Sequence, residues 1–254
     1  MASLTHDQAW FRGVPRNRKP LVRLLCFPHA GAGASSFNGW PKYLASDIDL
    51  VKAQLPGRED NAALPPLTRM EDLIPELLPQ VETLLDAPLA IYGHSMGALV
   101  AFETVRALRR RGHGLPVALF VSGRRAPQKP LRRVMLHELP EDGLVAHLRK
   151  MGGTSSAILE SAKWRQRYLP TMRADLQLSD IYRYREEAPL ACPLYAFLGE
   201  RDDEMHREDW EAWSEQAAGA FERRLLPGGH IFSANEQALL AGRISEILQH
   251  SKAI

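Results

Sequence analysis

"PLAIYGHSMGALVAFETVRAL", residues 88–108, decides the fold. Its first half is a short apolar run and its second half repeats apolar residues at helical spacing. Between them stands Ser95, in G-H-S-M-G, with Gly93 and Gly97 two positions to either side. A serine so placed is either part of a tight structural turn or a nucleophile held on that turn. A strand that turns abruptly into a helix strains the residue at the apex, and the neighbours two away must lack side chains to leave room. G-x-S-x-G between a strand and a helix is the pattern of a nucleophile elbow. There the hydroxyl projects from the carboxyl end of a sheet, and the backbone N–H of Met96 points at the same spot from the helix N-terminus.

Working outward, further short apolar runs recur at 21–27, 49–55, 116–123, 192–199 and 221–227. Near-continuous apolar runs suit central strands of a parallel sheet covered on both faces. Helical periodicity fills Met70–Leu85, Ser95–Arg111, Arg207–Ala217 and Ala234–Gln249. Strand alternating with helix predicts a doubly wound α/β sheet, one domain over 1–254. The interval 124–189 breaks this rhythm: it carries no convincing strand but has helical pieces, "EDGLVAHLRKM" and "SAKWRQRYLPTMRADLQLSDIYRY". Such a helical insertion is too long for a plain crossover and is expected to form a lid.

A serine hydroxyl needs a base, and in this fold the chain order is Ser, then Asp or Glu, then His. Of the downstream histidines, His250 sits in the terminal helix and His206 in a charged stretch. His230 follows "LLPGG" and precedes a helix, in a loop at the end of the last strand, so it is the candidate base. The acid should follow the preceding strand, where "YAFLGERDDEM" offers Asp202, favoured by G-x-x-D spacing, and Asp203 as the alternative. The second oxyanion donor is expected in "CFPHAGAGASSF", at Ala30 rather than His29.

Composition sets the outer limits. The chain has 254 residues, 45% hydrophobic and 24% charged, as expected of a globular protein with a sizeable core. There is no apolar run of about 18 residues and no signal-like N-terminus, so neither a membrane nor secretion is expected and the cytoplasm is the default. Cys26 and Cys192 lie in strand-like segments and read as buried thiols without metal-ligand spacing. A net charge of +2 gives no argument for nucleic acid. Nine basic residues and no acidic one lie between Glu103 and Glu138. Arg109, Arg110 and Arg111 suit a helix C-terminus, while Arg124, Arg125, Arg132 and Arg133 are a candidate docking face for an acidic partner.

"FPHAGAGASSF", "LPGRE" and "GHSMGALVAFE", followed in order by "MGGT", "YLPTMRADLQLSDIY", "CPLYAFLGERDD", "EAW" and "PGGHIF", resemble the type II thioesterases that accompany polyketide and nonribosomal peptide synthetases. The resemblance spans about Leu21 to Ile247. It implies an α/β-hydrolase fold with a helical lid and substrates held as thioesters on the phosphopantetheine arm of acyl or peptidyl carrier domains. The implied task is clearing stalled or wrongly loaded acyl and aminoacyl groups. By position Ser95 would be nucleophile, His230 base and Asp202 acid, with the N–H groups of Ala30 and Met96 as the oxyanion pair. The family's commoner Asp-Pro is here the doubled Asp202-Asp203. No cofactor or metal is implied beyond the carrier's own arm, and a monomer is the default.

Other residues carry weaker expectations. Arg58 in "LPGRED" reads chiefly as a structural anchor. Trp40 reads as core, Trp210 and Trp213 as packed against the sheet, and Trp164, Tyr168 and Met172 as candidate acyl-pocket residues. An esterase or lipase for free esters, a product-releasing thioesterase or acyltransferase, and an idle binding protein of the same fold are the alternatives.

Overall fold

The computed structural model describes residues 10–13 and 19–250; of the N-terminal segment read for a signal, 1–9 and 14–18 lie outside them. The strands are β1 (Phe11–Arg12), β2 (Val22–Phe27), β3 (Ile48–Ala53), β4 (Leu89–His94), β5 (Ala118–Ser122), β6 (Leu194–Gly199) and β7 (Phe221–Leu226). The helices are α1 (Met70–Glu82), α2 (Met96–Arg110), α3 (Glu141–Met151), α4 (Ser156–Glu160), α5 (Ala162–Asp180), α6 (Arg207–Glu211) and α7 (Ala234–His250). The sheet runs in the order β1-β3-β2-β4-β5-β6-β7 and is parallel except for β1. This is the expected doubly wound α/β-hydrolase arrangement.

Alternate side chains of β2 explain why both faces are covered. Leu25 and Phe27 join a core with Leu73, Leu77 and Leu99 from α1 and α2. Leu24 and Cys26 point the other way, into a second core with Ile244 and Leu248 of α7. Trp40 lies in that second core, tilted on Tyr92 at 5.0 Å, and Cys26 and Cys192 are buried free thiols. Trp210 and Trp213 are buried in the first core.

Two local differences from the sequence pattern have plain causes. The helix expected over Arg207–Ala217 is α-helical only to Glu211 and tightens to a 3-10 turn over Ala212–Gln216. Three residues per turn keep Trp210 and Trp213 on one side, and the indole N–H of Trp213 reaches the Arg124 carbonyl at 2.9 Å. β1 is only two residues on an antiparallel edge, too short for any periodicity to register.

Strand order places the site. Moving out from β2, the chain goes one way to β3 and the other to β4, so the loops leaving β2 and β4 part and leave a crevice at the carboxyl ends of the strands. Phe27 pairs with Gly93 and His94 with Ser122, which brings the loop after β2 beside Ser95. Gly199 pairs with Leu226, so the loops after β6 and β7 also leave together.

Candidate active site

Ser95 has φ 53° and ψ −113°, a left-handed conformation that a serine adopts only when its surroundings impose it. Its N–H donates to the Ser122 carbonyl at 2.8 Å. A Cβ at Gly93 would collide with the Gly97 carbonyl and the Ala98 nitrogen, and one at Gly97 with the Phe27 and Pro28 carbonyls. Both collisions are with backbone, so no rotamer change relieves them. Gly93→Ala is therefore expected to destabilise the fold by at least about 3 kcal/mol, lowering Tm by roughly 10 °C. A thermal melt within a degree or two of the parent would contradict the close packing of strand and helix here.

The structure brings Ser95, His230 and Asp202 together across 135 and 28 residues of chain. His230 Nδ1–H donates to Asp202 at 2.9 Å to Oδ2 and 3.1 Å to Oδ1. That leaves Nε2 unprotonated to accept the Ser95 hydroxyl at 3.0 Å. The Asp202 side chain is wholly buried and its Oδ1 also accepts the Glu204 N–H at 3.0 Å. Two loop bonds hold the acid beside the base: Glu200 N–H to the Leu226 carbonyl and Arg201 N–H to that of Gly228. Asp203 is exposed and lines the cavity instead of touching His230. His206 also stands at the cavity, and His250 caps a carbonyl of its own helix, at Glu246.

One supporting residue was not picked out by the sequence reading. His94, inside G-H-S-M-G, donates from Nε2 to the His230 carbonyl at 2.9 Å and accepts the Ser122 hydroxyl at Nδ1, 2.7 Å; Ser122 accepts in turn from Tyr92 at 2.8 Å. This chain needs a neutral imidazole, and burial, with His230 and His29 nearby, pushes the His94 pKa well down. His29, edge-on to His94 at 5.7 Å, is held down to about 4, first by burial and then by His230 and Arg58. Below pH 6.5 the unfolded chain takes up the proton first, so stability falls as pH drops from 6.5 toward 4. For the half-buried His29 ring the loss is on the order of 1–2 kcal/mol after solvent screening. Urea melts at pH 7 and 4.5 should show His29→Gln losing less stability than the parent over that interval.

Ser95, His230, Ala30 and Met96 open on a cavity of about 340 Å³, toward the small end of ligand sites. Its far wall comes from the segment between β5 and β6, including Leu148 and Met151 of α3 and Met172 and Leu176 of α5. Of the three expected pocket residues only Met172 lines it. Trp164 and Tyr168 stack on each other at 5.6 Å, and Tyr168 is exposed. Among the described residues no group of His, Cys, Asp and Glu is placed to hold a metal, and no helix is long and apolar enough to cross a membrane.

The loop after β2 is built as a turn. Ala32 N–H donates to the His29 carbonyl at 3.1 Å, and Gly31 at the third position has φ +75°, as in a type II turn. Arg58 is the anchor the sequence suggested: its guanidinium forms a fork with Asp175 of α5 at 2.6 and 2.7 Å, both side chains buried. Removing either partner would strand a buried charge, at about 3–5 kcal/mol.

The proposed docking face needs correction. Arg124 and Arg125 are buried, Arg124 donating to the Ser179 hydroxyl at 2.6 Å and Arg125 to the Lys129 carbonyl at 3.1 Å. Arg132 pairs with Glu208 and Asp209, and Arg133 with the buried Asp180. The acids that pair with Arg132 and Arg133 arrive from α6 and α5, far along the chain.

Residues 22–250 match the family described as thioesterase domain. The chain belongs to the thioesterase family. This thioesterase is 37% identical to the gramicidin S biosynthesis protein GrsT of Aneurinibacillus migulanus over 91% of each chain. It is 34% identical to the thioesterase PikA5 of Streptomyces venezuelae, over 94% of this chain and 85% of that one. Among solved structures it is similar to the RedJ thioesterase from the prodiginine pathway of Streptomyces coelicolor, with TM-score 0.84, 36% identity, and 92% and 91% of the two chains covered.

Proposed function

We propose that this thioesterase hydrolyses acyl or aminoacyl groups from the phosphopantetheine arm of carrier proteins, as an editing enzyme for polyketide or nonribosomal peptide assembly. The observation that carries the proposal is the hydrogen-bonded chain Asp202–His230–Ser95 opening on a cavity beside two main-chain N–H positions. Relatives named for gramicidin S and prodiginine biosynthesis support the carrier-bound substrate.

In this mechanism Ser95 Oγ attacks the thioester carbonyl as its proton passes to His230 Nε2. The oxyanion is held by the N–H groups of Ala30 and Met96, each worth about 3 kcal/mol in comparable sites. Collapse breaks the carbon–sulfur bond, and the His230 proton goes to the departing pantetheine sulfur. Water then gives a proton to His230 and attacks the acyl-enzyme; collapse releases the free acid and returns the proton to Ser95. Asp202 holds the productive tautomer and balances the imidazolium charge. The helices of residues 124–189 act as a lid that excludes bulk water. The enzyme works as a cytoplasmic monomer within the single domain 1–254 and needs no cofactor beyond the arm that arrives with its substrate.

The test is mass spectrometry of acetyl-, propionyl- and aminoacyl-carrier protein incubated with the enzyme. Free carrier and free acid are expected from the native chain and none above background from Ser95→Ala. Rapid cleavage of simple oxygen esters with intact acyl-carrier would favour an esterase, and transfer to an added amine or alcohol in place of water would favour an acyltransferase.

A further inference from the structure

The turn that carries Ala30 is closed by its own Ala32–His29 bond and is held a second time from outside, by α5. Asp175 of α5 accepts the Gly31 N–H at 2.7 Å through Oδ2, the same oxygen that accepts Arg58 Nη1 at 2.6 Å. Arg58 Nη1 also donates to the Ala32 carbonyl at 3.0 Å, and its Nε and Nη2 donate to the Pro56 carbonyl. Gly31 N–H belongs to the central peptide of the turn, the one whose rotation separates a type II from a type I turn. A carboxylate fixed on that N–H therefore sets which way the peptide joining Ala30 to Gly31 faces. Two more contacts press α5 onto this corner: Thr171 donates to the Gly57 carbonyl at 2.6 Å, and Met172 fills the space where a Gly31 side chain would stand.

We infer that Asp175, charge-fixed by Arg58, is a positioning residue for the oxyanion hole, so that a helix of the segment covering the cavity holds the donor turn in its working shape. The inference rests on the proposed role of the Ala30 N–H. It adds that the segment walling the cavity and the stabilisation of the oxyanion are coupled through one buried carboxylate. When α5 sits against the turn, Asp175 fixes the peptide that follows Ala30 and so holds the corner on which the Ala30 N–H stands; when α5 withdraws, Gly31 loses its acceptor and that corner is free to change shape.

The experiment compares the native chain with Asp175→Asn and Arg58→Lys, using a short-chain acyl thioester of N-acetylcysteamine as substrate and an alkylthio trifluoromethyl ketone as inhibitor. The ketone adds Ser95 Oγ to form a tetrahedral oxyanion, so its affinity reads the hole directly. Asp175→Asn is expected to lower kcat by roughly 10- to 100-fold with KM little changed, and to raise the ketone's Ki by the same factor. Its pH–rate profile should keep the native midpoints, because the His230–Asp202 pair is untouched. Arg58→Lys keeps a cation by Asp175 but loses the fork, and should show a smaller parallel change of about 3- to 10-fold. A purely architectural pair would lower the titratable fraction of active enzyme while leaving Ki per active site unchanged, and that result overturns the inference. If Asp175→Asn fails to fold, Arg58→Lys decides by the same criterion. A native chain that neither cleaves the thioester nor binds the ketone would overturn the proposed function instead, a result distinct from unchanged Ki in an active variant.

Discussion

Ser95→Ala is expected to lower hydrolysis of an acylated carrier by on the order of 10⁴-fold or more, with melting temperature close to the parent's. The size follows from what is removed. The hydroxyl is the atom that forms the acyl-enzyme, and among the described residues it is the hydroxyl that His230 Nε2 bonds. The fold should stand because the strain at position 95 comes from the backbone and is common to serine and alanine, while the N–H bond to Ser122 does not involve the side chain. Intact-protein mass spectrometry during turnover checks the same point. The native chain should accumulate an acyl adduct on a poor substrate and the variant none. Turnover within tenfold of native would remove Ser95 from the chemistry.

Asp202→Asn should cost roughly 10⁴-fold in kcat, about 5 kcal/mol in barrier, while Asp203→Asn stays within about twofold of native. The reason lies in the second bond that Asp202 makes. Its Oδ1 accepts the Glu204 N–H, and in asparagine only the carbonyl oxygen can continue to do so. The amide NH₂ is then turned toward His230 Nδ1 and donates to it, which puts the imidazole proton on Nε2. A protonated Nε2 cannot take the Ser95 proton. Asp203, exposed and without a bond to His230, should matter little. Equal losses in the two variants would mean that the acid is shared or misassigned, and steady-state rates on one acyl-carrier substrate suffice to tell.

Much of this site is legible in the sequence because its parts obey local rules. Gly93 and Gly97 announce the elbow through steric necessity, and His230 is singled out by its place between the last strand and the last helix. Asp202 was harder, since the doubled Asp202-Asp203 gives two carboxylates with the same chemistry; the backbone after β6 separates them by burying one and exposing the other. The basic run was misread for the opposite reason. Arg124 and Arg133 find Ser179 and Asp180 only after α5 folds back, and a pairing across such sequence distance leaves no mark on composition. Asp175 carries no sequence signal for the same reason: on α5 it is one polar residue among several, and its partners Gly31 and Arg58 lie 144 and 117 residues away. His94 sat in plain view inside the elbow, but its role depends on a carbonyl supplied by the loop after β7.

The pairing of β7 with β6 has a consequence for the life of the chain during translation. His230 is carried by the loop that follows β7, the last strand in chain order, whose Leu226 pairs with Gly199 beside the loop that carries Asp202. A nascent polypeptide still tethered to the ribosome at position 220 would already own its serine and its carboxylate yet lack the imidazole. Such a chain lacks the base of its triad, and the proposed chemistry must wait until residue 230 has left the exit tunnel.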